Sequence, residues 1–403
     1  MVNPEWIAYV GKFPFPEGNA SSRRVYGVAR ALVEAGYDVV VGSENTEPTE
    51  PCVLYDRKGK GILSYIGLSE RLPKAASAIR KAYQYLIAVG ERKVRWLDEQ
   101  PTKPLYVIYY GSSSAFMLRL MLWCRKNNVA LIVDVVEWRD ASHMVGGGFF
   151  SPLNISDKIC MKFLNHRADG VIAISSYLGK FYLNKKSHVI RVPTLLDTTS
   201  IVAKRSNTIL VKKQLTLAYT GKSGKGKKDL LNNVIEALFR LNSVGKDVHF
   251  IMAGSAPQEV LCFSALQSRR ISSLPSWIEA LGWQTPERAL EIVKNADFMP
   301  LLRPLNRVSE AGFPTKFAES MALGTPVICN LTSDLGQYVH DGVEGLVCRD
   351  HSVEAFTEAI ERALALSPTQ YAEMRIAARA MAEQSFDYRA YAKPLRCFLK
   401  KIH

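Results

Sequence analysis

Short runs of β-branched and other apolar residues alternate with segments of helical periodicity along most of the chain. The first series of runs comprises Trp6–Gly11, Asp38–Val41, Tyr106–Tyr110, Ala130–Val136, Gly170–Ile174 and Val189–Val192. The second series comprises Leu215–Thr220, Val248–Ala253, Phe298–Leu302 and Pro326–Cys329. Strands that alternate with amphipathic helices form parallel sheets that are covered on both faces. The pattern therefore predicts an α/β chain with two doubly wound, Rossmann-like domains facing across a cleft.

The length of 403 residues exceeds what one compact core usually holds, which agrees with two domains. We expect an N-terminal domain at 1–195, a linker at 196–214 and a C-terminal domain at 215–386. The last helical segment, 387–403, is expected to pack back on the N-terminal domain. Ligands of such sheets bind at the carboxyl ends of the strands, so the motifs at these ends are the functional candidates.

The chain has 52 Lys and Arg residues against 38 Asp and Glu residues, a net charge of +14 that is spread over both halves. A basic surface favours an anionic partner, either nucleic acid, an anionic membrane or a phosphorylated substrate. The seven cysteines and seven histidines show no metal-ligand spacing and no Cys-x-x-Cys pair. This pattern is typical of reduced thiols in a cytosolic chain. The N-terminus shows no signal-peptide pattern, and no apolar run is long enough to cross a bilayer.

A turn with small residues, Glu17–Arg23, joins the first strand to a helix. Gly18 and Asn19 let the backbone approach a ligand, and the helix N-terminus offers free N–H groups to an anion. Since many strand–helix turns hold glycine, the same residues also fit a plain turn.

Four lysines lie within residues 222–228, on a glycine-rich turn after the first strand of the second series. Lys222, Lys227 and Lys228 are candidates for phosphate binding, although most lysine clusters are only solvated. The segment Gly221–Lys227 nearly matches a P-loop. The next position should carry the Ser or Thr that binds Mg²⁺, and Lys228 stands there, which argues against an NTPase or kinase.

The most informative segment runs from Gly312 through Phe313 into a short helix that begins near Thr315 and Lys316. A helix N-terminus can accept a diphosphate. Glu319, one turn into the helix, can accept hydrogen bonds from the vicinal hydroxyls of a sugar. By periodicity alone, Glu319 fits an ordinary surface helix equally well.

The sequence from Glu319 to Val327, ESMALGTPV, resembles the second half of the Glu-x7-Glu signature of GT-B nucleotide-sugar glycosyltransferases of retaining family four. The resemblance implies that Glu319 binds the donor ribose. The first Glu of the signature falls on Ala311, so Glu310 takes the role near the donor sugar only with a one-residue shift. The Pro-Thr-Lys-Phe-x-Glu sequence resembles a subgroup that builds bacterial surface polysaccharides.

The resemblance covers nearly the full chain and implies further donor contacts. Lys222 takes the place of a family Arg, and Lys227 or Lys228 that of a family Lys; both family residues bind the donor diphosphate. Gly18-Asn19 lies where a Gly-Gly loop faces the donor phosphate. Gly282-Trp283 lies where backbone groups contact the nucleotide base.

Three carboxylates and an Arg occur within Asp134–Asp140, at the end of a first-domain strand. This position suits acceptor binding, and the predicted acceptor residues are Asp134, Glu137 and Arg139. Many members of the family that this chain resembles have a His near this position, where this sequence has Glu137. In the alternative interpretation, Asp134 is a cap that pairs with Arg139.

Seven basic residues lie among apolar and aromatic ones in the segment 71–99. They are Arg71, Lys74, Arg80, Lys81, Arg92, Lys93 and Arg95. A basic amphipathic face suits an anionic membrane, although most such faces are only solvated.

With this resemblance, the sequence predicts a glycosyltransferase that moves a sugar from a nucleotide diphosphate sugar to an acceptor hydroxyl. The resemblance implies retention of configuration and a role in bacterial surface polysaccharide or glycolipid synthesis. The catalytic candidates are Lys222, Lys228, Glu310 and Glu137, with no metal or other cofactor required. The acceptor would be a glycan or a lipid-linked sugar, at the cytoplasmic face of the cell membrane, with no nucleic-acid partner. The alternatives are a nucleotide-sugar epimerase of the same fold and a P-loop-like NTPase or kinase.

Overall fold

The structure is a computed structural model that describes residues 5–73, 75–138, 151–184, 188–201, 214–222 and 229–402. The chain divides into two compact units. The first contains Met1–Leu196 and Tyr388–His403, and the second contains Asp197–Asp387. Both units combine parallel strands with helices, which confirms the predicted α/β class.

The first unit contains an eight-stranded sheet. Its strands are β1 (Trp6–Gly11), β2 (Asp38–Ser43), β3 (Cys52–Arg57), β4 (Gly61–Gly67), β5 (Tyr106–Tyr110), β6 (Ala130–Val135), β7 (Gly170–Ala173) and β8 (His188–Arg191). Its helices before the second unit are α1 (Ala20–Glu34), α2 (Ala78–Leu86), α3 (Glu91–Glu99), α4 (Ser114–Asn127), α5 (Pro152–Ile159) and α6 (Ser176–Leu183). A π-helix (Cys160–Leu164) and a 3-10 helix (Asn165–Arg167) follow α5.

The strand order in this sheet is β3-β4-β2-β1-β5-β6-β7-β8. All neighbours pair in parallel except β3 and β4, which form an antiparallel pair at the edge. The central strand β1 is buried at every position, and its continuous apolar run is the one that the sequence predicts. The β3–β4 pair was not predicted, because β3 is largely exposed and therefore lacks an apolar run.

The second unit contains six strands and eight helices among its described residues. The strands are β9 (Leu215–Thr220), β10 (Val248–Ala253), β11 (Ile278–Ala280), β12 (Met299–Leu301), β13 (Val327–Asn330) and β14 (Gly345–Cys348). The helices are α7 (Leu231–Ser243), α8 (Pro257–Leu261), α9 (Ser264–Gln267), α10 (Pro286–Asn295), α11 (Arg307–Ala311), α12 (Thr315–Ala322), α13 (Val353–Ala365) and α14 (Pro368–Phe386). A 3-10 helix lies at Leu335–Gln337.

The strands of the second unit form two three-stranded parallel sheets, in the orders β11-β10-β9 and β12-β13-β14. A parallel bridge between Leu217 and Phe298 connects β9 to the start of β12. The backbone N–H of Ala218 donates to the Phe298 carbonyl at 3.0 Å. The carboxyl ends of β9 and its neighbours therefore lie at one common edge, the edge at which ligands of parallel sheets bind.

The chain returns to the first unit after α14, through a 3-10 helix (Tyr388–Tyr391) and α15 (Ala392–Lys400). The hydroxyl of Tyr106 donates to the Leu399 carbonyl at 3.0 Å, which fixes α15 to the sheet. Arg30 of α1 donates to the hydroxyl of Tyr388 at 2.6 Å. Among the described residues, none of the helices has the length and apolar character needed to cross a membrane.

Candidate active site

Three glycines end the strands β9, β10 and β11 in the second unit. Gly221, Gly254 and Gly282 all have positive φ, at 129°, 108° and 66°. The N–H of Gly221 donates to the Ala253 carbonyl at 2.8 Å, and that of Gly254 donates to the Gly282 carbonyl at 2.6 Å. A Cβ at Gly254 would lie 2.8 Å from the backbone of Gly221, so only glycine fits there. The strand ends therefore form a narrow edge, the glycine edge, where the absence of side chains lets a ligand come close to the backbone.

A carboxylate beside this edge binds three side chains from separate elements. Asp229, just before α7, accepts a hydrogen bond from Nε of Arg303 at 2.7 Å through Oδ1. Its Oδ2 accepts from Nζ of Lys316 and from the hydroxyl of Tyr219, both at 2.7 Å. The Nζ of Lys316 also donates to the Tyr219 hydroxyl at 2.6 Å and lies 3.8 Å from the centre of its ring. We call these four residues the Asp229 cluster.

The Asp229 cluster carries two cations against one carboxylate in a largely buried position, where only 7% of the Asp229 side chain is exposed. Burial disfavours the charged carboxylate, but Lys316 and Arg303 outweigh it and hold the pKa of Asp229 well below its usual range. Burial lowers the pKa of Lys316, an effect that Asp229 partly offsets. Burial and the Asp229 charge raise the pKa of Tyr219, which keeps this hydroxyl protonated as a donor. The cluster is thus left with an excess positive charge.

The excess charge lies directly against the glycine edge. A Cβ built at Gly221 would lie 3.1 Å from Nζ of Lys316. Lys222, the next residue, is exposed. Lys227 and Lys228 lie outside the described residues. An anion that contacts the backbone at Gly221 would therefore be close to the ammonium group of Lys316.

The predicted donor residues on α12 lie next to the Asp229 cluster. Thr315 and Lys316 form the first turn of α12, and Glu319 lies one turn further on, with 8% of its surface exposed. The negative charge of Glu319 acts to raise the pKa of Lys316, so the two groups are electrostatic neighbours. Pro314 is the N-cap residue and provides no side-chain cap, so the N-terminus of the helix keeps N–H groups for a ligand.

Gly312 and Phe313 contribute to packing just before α12. The ring of Phe313 is buried and lies in an aromatic cluster with Phe317, Tyr338 and Phe386. The N–H of Gly312 donates to the Val308 carbonyl at 3.3 Å. A donor contact from this turn would therefore involve the backbone of Phe313 rather than its ring.

Glu310, on the short helix α11, is half-buried and has a structural partner. Its Oε1 accepts a hydrogen bond from the backbone N–H of Ser333 at 3.1 Å. Ser333 has a φ of 53°, a left-handed conformation that non-glycine residues adopt rarely. The carboxylate thus holds the turn that follows β13, and its role near the donor sugar stays a prediction.

Trp283 follows the glycine edge directly and is 78% exposed. The N–H of Gly282, just before it, donates to the Ser255 carbonyl at 3.0 Å. Because that N–H is used within the turn, a base contact here would involve other atoms than the Gly282 N–H.

The turn at Gly18 and Asn19 in the first unit begins α1. The side-chain oxygen of Asn19 accepts from the backbone N–H of Ser21 at 2.9 Å and of Ser22 at 3.3 Å. Gly18 has a φ of 142°, in the region that favours glycine. The Asn19 amide oxygen is the helix N-cap, so a donor contact from this turn would involve other atoms.

Asp134, a predicted acceptor residue, is buried within β6. Its Oδ1 pairs with Nη2 of Arg24 from α1 at 2.8 Å, and its Oδ2 accepts from the hydroxyl of Tyr9. Arg24 also donates to the Val192 carbonyl at 2.7 Å. Both carboxylate oxygens are therefore used within the unit, and we correct the prediction: Asp134 connects α1 to the sheet. The alternative partner, Arg139, lies outside the described residues.

Glu137 lies two residues beyond β6 and is half-buried. Its neighbour Trp138 packs edge-on against Phe181, with ring centres 5.2 Å apart, and against Tyr177 at 6.4 Å. Sequence reasoning missed this aromatic group because Trp138 and α6 are far apart in the chain. The group lies at the carboxyl end of β6, where an acceptor is expected.

No group of three or more His, Cys, Asp or Glu side chains in the described part of the chain is arranged to hold a metal ion.

Residues 214–365 match the family model described as "Glycosyl transferases group 1". The second unit contains a glycosyl transferases group 1 domain. This domain begins at β9 and ends at α13, so it contains the glycine edge, the Asp229 cluster and α12. The match assigns the chain to the glycosyltransferase class of enzymes.

Solved structures of glycosyltransferases are similar to this chain over nearly its whole length. Sucrose-phosphate synthase from Thermosynechococcus elongatus shares 15% identity over 99% of each chain, with a TM-score of 0.70. HepE from Anabaena in complex with UDP shares 14% identity over 98% of this chain and 100% of that one, with a TM-score of 0.61. The lipopolysaccharide outer core galactosyltransferase WaaB shares 15% identity over 98% and 99%, with a TM-score of 0.63.

At these identities the similarity shows the fold, and the glycosyltransferase has the predicted GT-B architecture of two Rossmann-like domains. A comparison with curated protein sequences gave no significant match.

Proposed function

We propose that this glycosyltransferase moves a glycosyl group from a nucleoside diphosphate sugar to an acceptor hydroxyl, with retention of configuration. The observation that carries the proposal is the excess positive charge of the Asp229 cluster beside the glycine edge. A diphosphate needs both features, because the glycines leave room for it beside the backbone and its charge requires cations nearby. HepE, which has a similar fold, has been solved with UDP and with UDP-glucose, which supports this class of donor.

In this proposal the donor diphosphate lies along the glycine edge and the N-terminus of α12. Lys316 and Lys222 approach it from the two sides of Gly221, and Lys227 and Lys228 add further positive charge. Glu319 accepts hydrogen bonds from the ribose hydroxyls. The four lysines, rather than a bound metal ion, neutralise the charge of the diphosphate.

The reaction breaks the bond between the anomeric carbon and the terminal phosphate oxygen of the donor. A bond forms between that carbon and the acceptor oxygen on the same face of the sugar, and the acceptor proton passes to the leaving phosphate. The cations stabilise the negative charge that develops on the phosphate in the transition state. Because the leaving group takes the proton, Glu310 and Glu137 need only orient the donor sugar and the acceptor.

The acceptor in this proposal is a glycan or a lipid-linked sugar of bacterial surface polysaccharide or glycolipid synthesis, at the cytoplasmic face of the membrane. WaaB, one of the similar structures, is a lipopolysaccharide outer core galactosyltransferase, which supports this class of acceptor. Trp138 and its aromatic neighbours offer an apolar surface of the kind on which sugar rings pack.

A thermal-shift screen of nucleoside diphosphate sugars tests the proposed donor. One donor class should raise the melting temperature by mass action, and the shift should persist when EDTA removes free metal ions. No shift with any donor would overturn the proposal. Product analysis with and without acceptor then separates transfer from epimerisation, and Mg²⁺-dependent ATP hydrolysis would instead indicate an NTPase.

A further inference from the structure

Helix α2 of the first unit is covered by very little of the protein. Its described side chains are all exposed except Gln84, which is half-buried. Ile79, Tyr83 and Leu86 form one stripe, because they are spaced by four and then three residues. Ile79 is 84% exposed and Tyr83 is 56% exposed. This apolar stripe therefore has no role in the core of the unit.

The exposed apolar surface continues across two further helices. Leu118 and Leu122 lie one turn apart on the outer side of α4, and Leu122 is 68% exposed. Ile155 and Ile159 repeat this spacing on α5, and Phe163 extends the line into the π-helix with 55% exposure. Each of the three helices thus presents an apolar stripe to solvent.

Hydrogen bonds join the three helices into one surface. The guanidinium group of Arg119 on α4 donates to the Ile87 carbonyl at the end of α2, at 2.9 Å. The backbone N–H of Ser114, at the start of α4, donates to the Ser156 hydroxyl of α5 at 2.8 Å. A groove of 260 Å³ lies between these helices. We call the exposed sides of α2, α4, α5 and the π-helix the three-helix face.

The exposed charged side chains on the three-helix face are all positive. Arg80 and Lys81 on α2, Arg125 and Lys126 on α4, and Lys162 in the π-helix are all exposed. The sequences of α2, α4 and the π-helix contain no Asp or Glu, and the one acid of α5, Asp157, is buried. The face therefore combines apolar stripes with exposed basic side chains.

The neighbouring helix α3 does not belong to this face, although its basic residues fall in the segment 71–99. Lys93 is buried and pairs with Glu44 at 2.9 Å. Arg92 donates to the Ser69 carbonyl at 2.9 Å, and Arg95 pairs with Glu91 at 3.6 Å.

We propose that the three-helix face binds the surface of an anionic lipid bilayer. Apolar side chains enter the boundary between headgroups and acyl chains, while Lys and Arg attract anionic lipids. A second copy of the chain suits the face poorly, because a two-fold interface would bring its cations against one another. The proposal is independent of the donor, since the face contains none of the donor residues.

Sedimentation of the full chain with vesicles tests this proposal. The protein should bind vesicles of phosphatidylcholine in which phosphatidylglycerol replaces a quarter of the lipid, and it should bind pure phosphatidylcholine far more weakly. Each basic residue near an anionic surface changes binding about fivefold. Salt screens this attraction, so added salt should weaken vesicle binding strongly. Equal binding to both kinds of vesicle, or no binding to either, would overturn the proposal.

Two variants locate the binding surface. The charge variant Arg80→Gln/Arg125→Gln/Lys162→Gln should lower binding by about a hundredfold. Its matched control removes three exposed lysines elsewhere, Lys58→Gln/Lys246→Gln/Lys401→Gln, and should bind as the unaltered protein does. If the control loses as much binding as the charge variant, only net charge matters and the face is not the site.

The apolar variant Ile79→Ser/Tyr83→Ser/Leu122→Ser should also lose at least about tenfold in vesicle binding. Sedimentation velocity without lipid provides the second readout. A dimer that this variant dissociates, together with absent vesicle binding, would make the face an interface between copies and contradict the proposal. Both variants should keep the donor thermal shift, so a failure here is distinct from a failure of the proposed function.

Discussion

The ammonium group of Lys316 lies 2.7 Å from the carboxylate of Asp229, although 87 positions separate the two residues in the chain. The pair connects the first turn of α12 to the segment that enters α7. Arg303 binds the other oxygen of the same carboxylate at 2.7 Å. Asp229 therefore fixes two cations at the glycine edge, where the proposed donor diphosphate binds.

Replacing Asp229 by Asn should destabilise the second unit by about 3 kcal/mol, because it leaves two buried cations without a counter-ion. Urea unfolding of the full chain, followed by a probe in the second unit, measures this loss. Asp56→Asn, an exposed position on β3, is the control and should change the unfolding free energy by less than about 0.5 kcal/mol. Equal stabilities of the two variants would show that the cluster contributes little.

Acid should weaken the second unit through the same carboxylate. The pKa of Asp229 is held well below its ordinary value in the folded state, so the folded state binds fewer protons than the unfolded state. Its contribution is therefore fully present above the unfolded pKa of about 4, and it is lost as the pH falls below that value. Unfolding free energies measured from about pH 6 to about pH 3 should fall more steeply for the unaltered protein than for Asp229→Asn. If the unfolding free energies of the two proteins fall equally with pH, Asp229 is not the carboxylate responsible for the acid sensitivity.

Replacing Lys316 by Met should weaken nucleoside diphosphate binding at least about tenfold, because a charge-assisted hydrogen bond to phosphate contributes about 1.5–3 kcal/mol. Isothermal titration with the nucleoside diphosphate gives the dissociation constant. Lys316→Arg keeps the charge and should retain more of the affinity than Lys316→Met. Lys246→Met, at an exposed site of the same unit, is the control. Unchanged affinity in Lys316→Met would remove this lysine from the donor site.

Replacing Glu319 by Gln should reduce the preference for a ribose over a 2′-deoxyribose donor. The carboxylate accepts hydrogen bonds from the ribose hydroxyls in the proposed site, and such bonds to a charged group contribute about 1.5–3 kcal/mol. The ratio of kcat/KM for the two donors, measured in both proteins, reports the change. Glu361→Gln, exposed on α13, should leave the ratio as it is. If Glu319→Gln shows the same ratio as the unaltered protein, Glu319 does not contact the ribose.

The α/β class and most strands could be predicted because the evidence for them is local. Strand β1 has the predicted bounds, Trp6–Gly11, since a strand buried on both faces is a continuous apolar run. Helix α12 likewise begins at Thr315, one residue beyond Pro314. Strand β3 was missed because it is largely exposed at the edge of the sheet and therefore lacks an apolar run.

The candidate site was only partly readable from the sequence. Glu319 and Lys316 lie in a contiguous motif and were predicted as donor residues, and that role stays a proposal. Asp229 was not singled out, since its partners are 74 and 87 positions away. For the same reason Asp134 was taken for an acceptor residue, although Arg24, 110 positions earlier, neutralises it.

The sequence by itself determined the periodicity of the chain, and with it the parallel sheets, and it located the α12 motif. Which charged groups are buried in pairs and which are exposed was decided by the tertiary structure. A charge in a sequence is the same whether it is buried or exposed. Only packing pairs Lys93 with Glu44, fixes Lys316 and Arg303 on one carboxylate, and leaves Arg80, Arg125 and Lys162 exposed on one face.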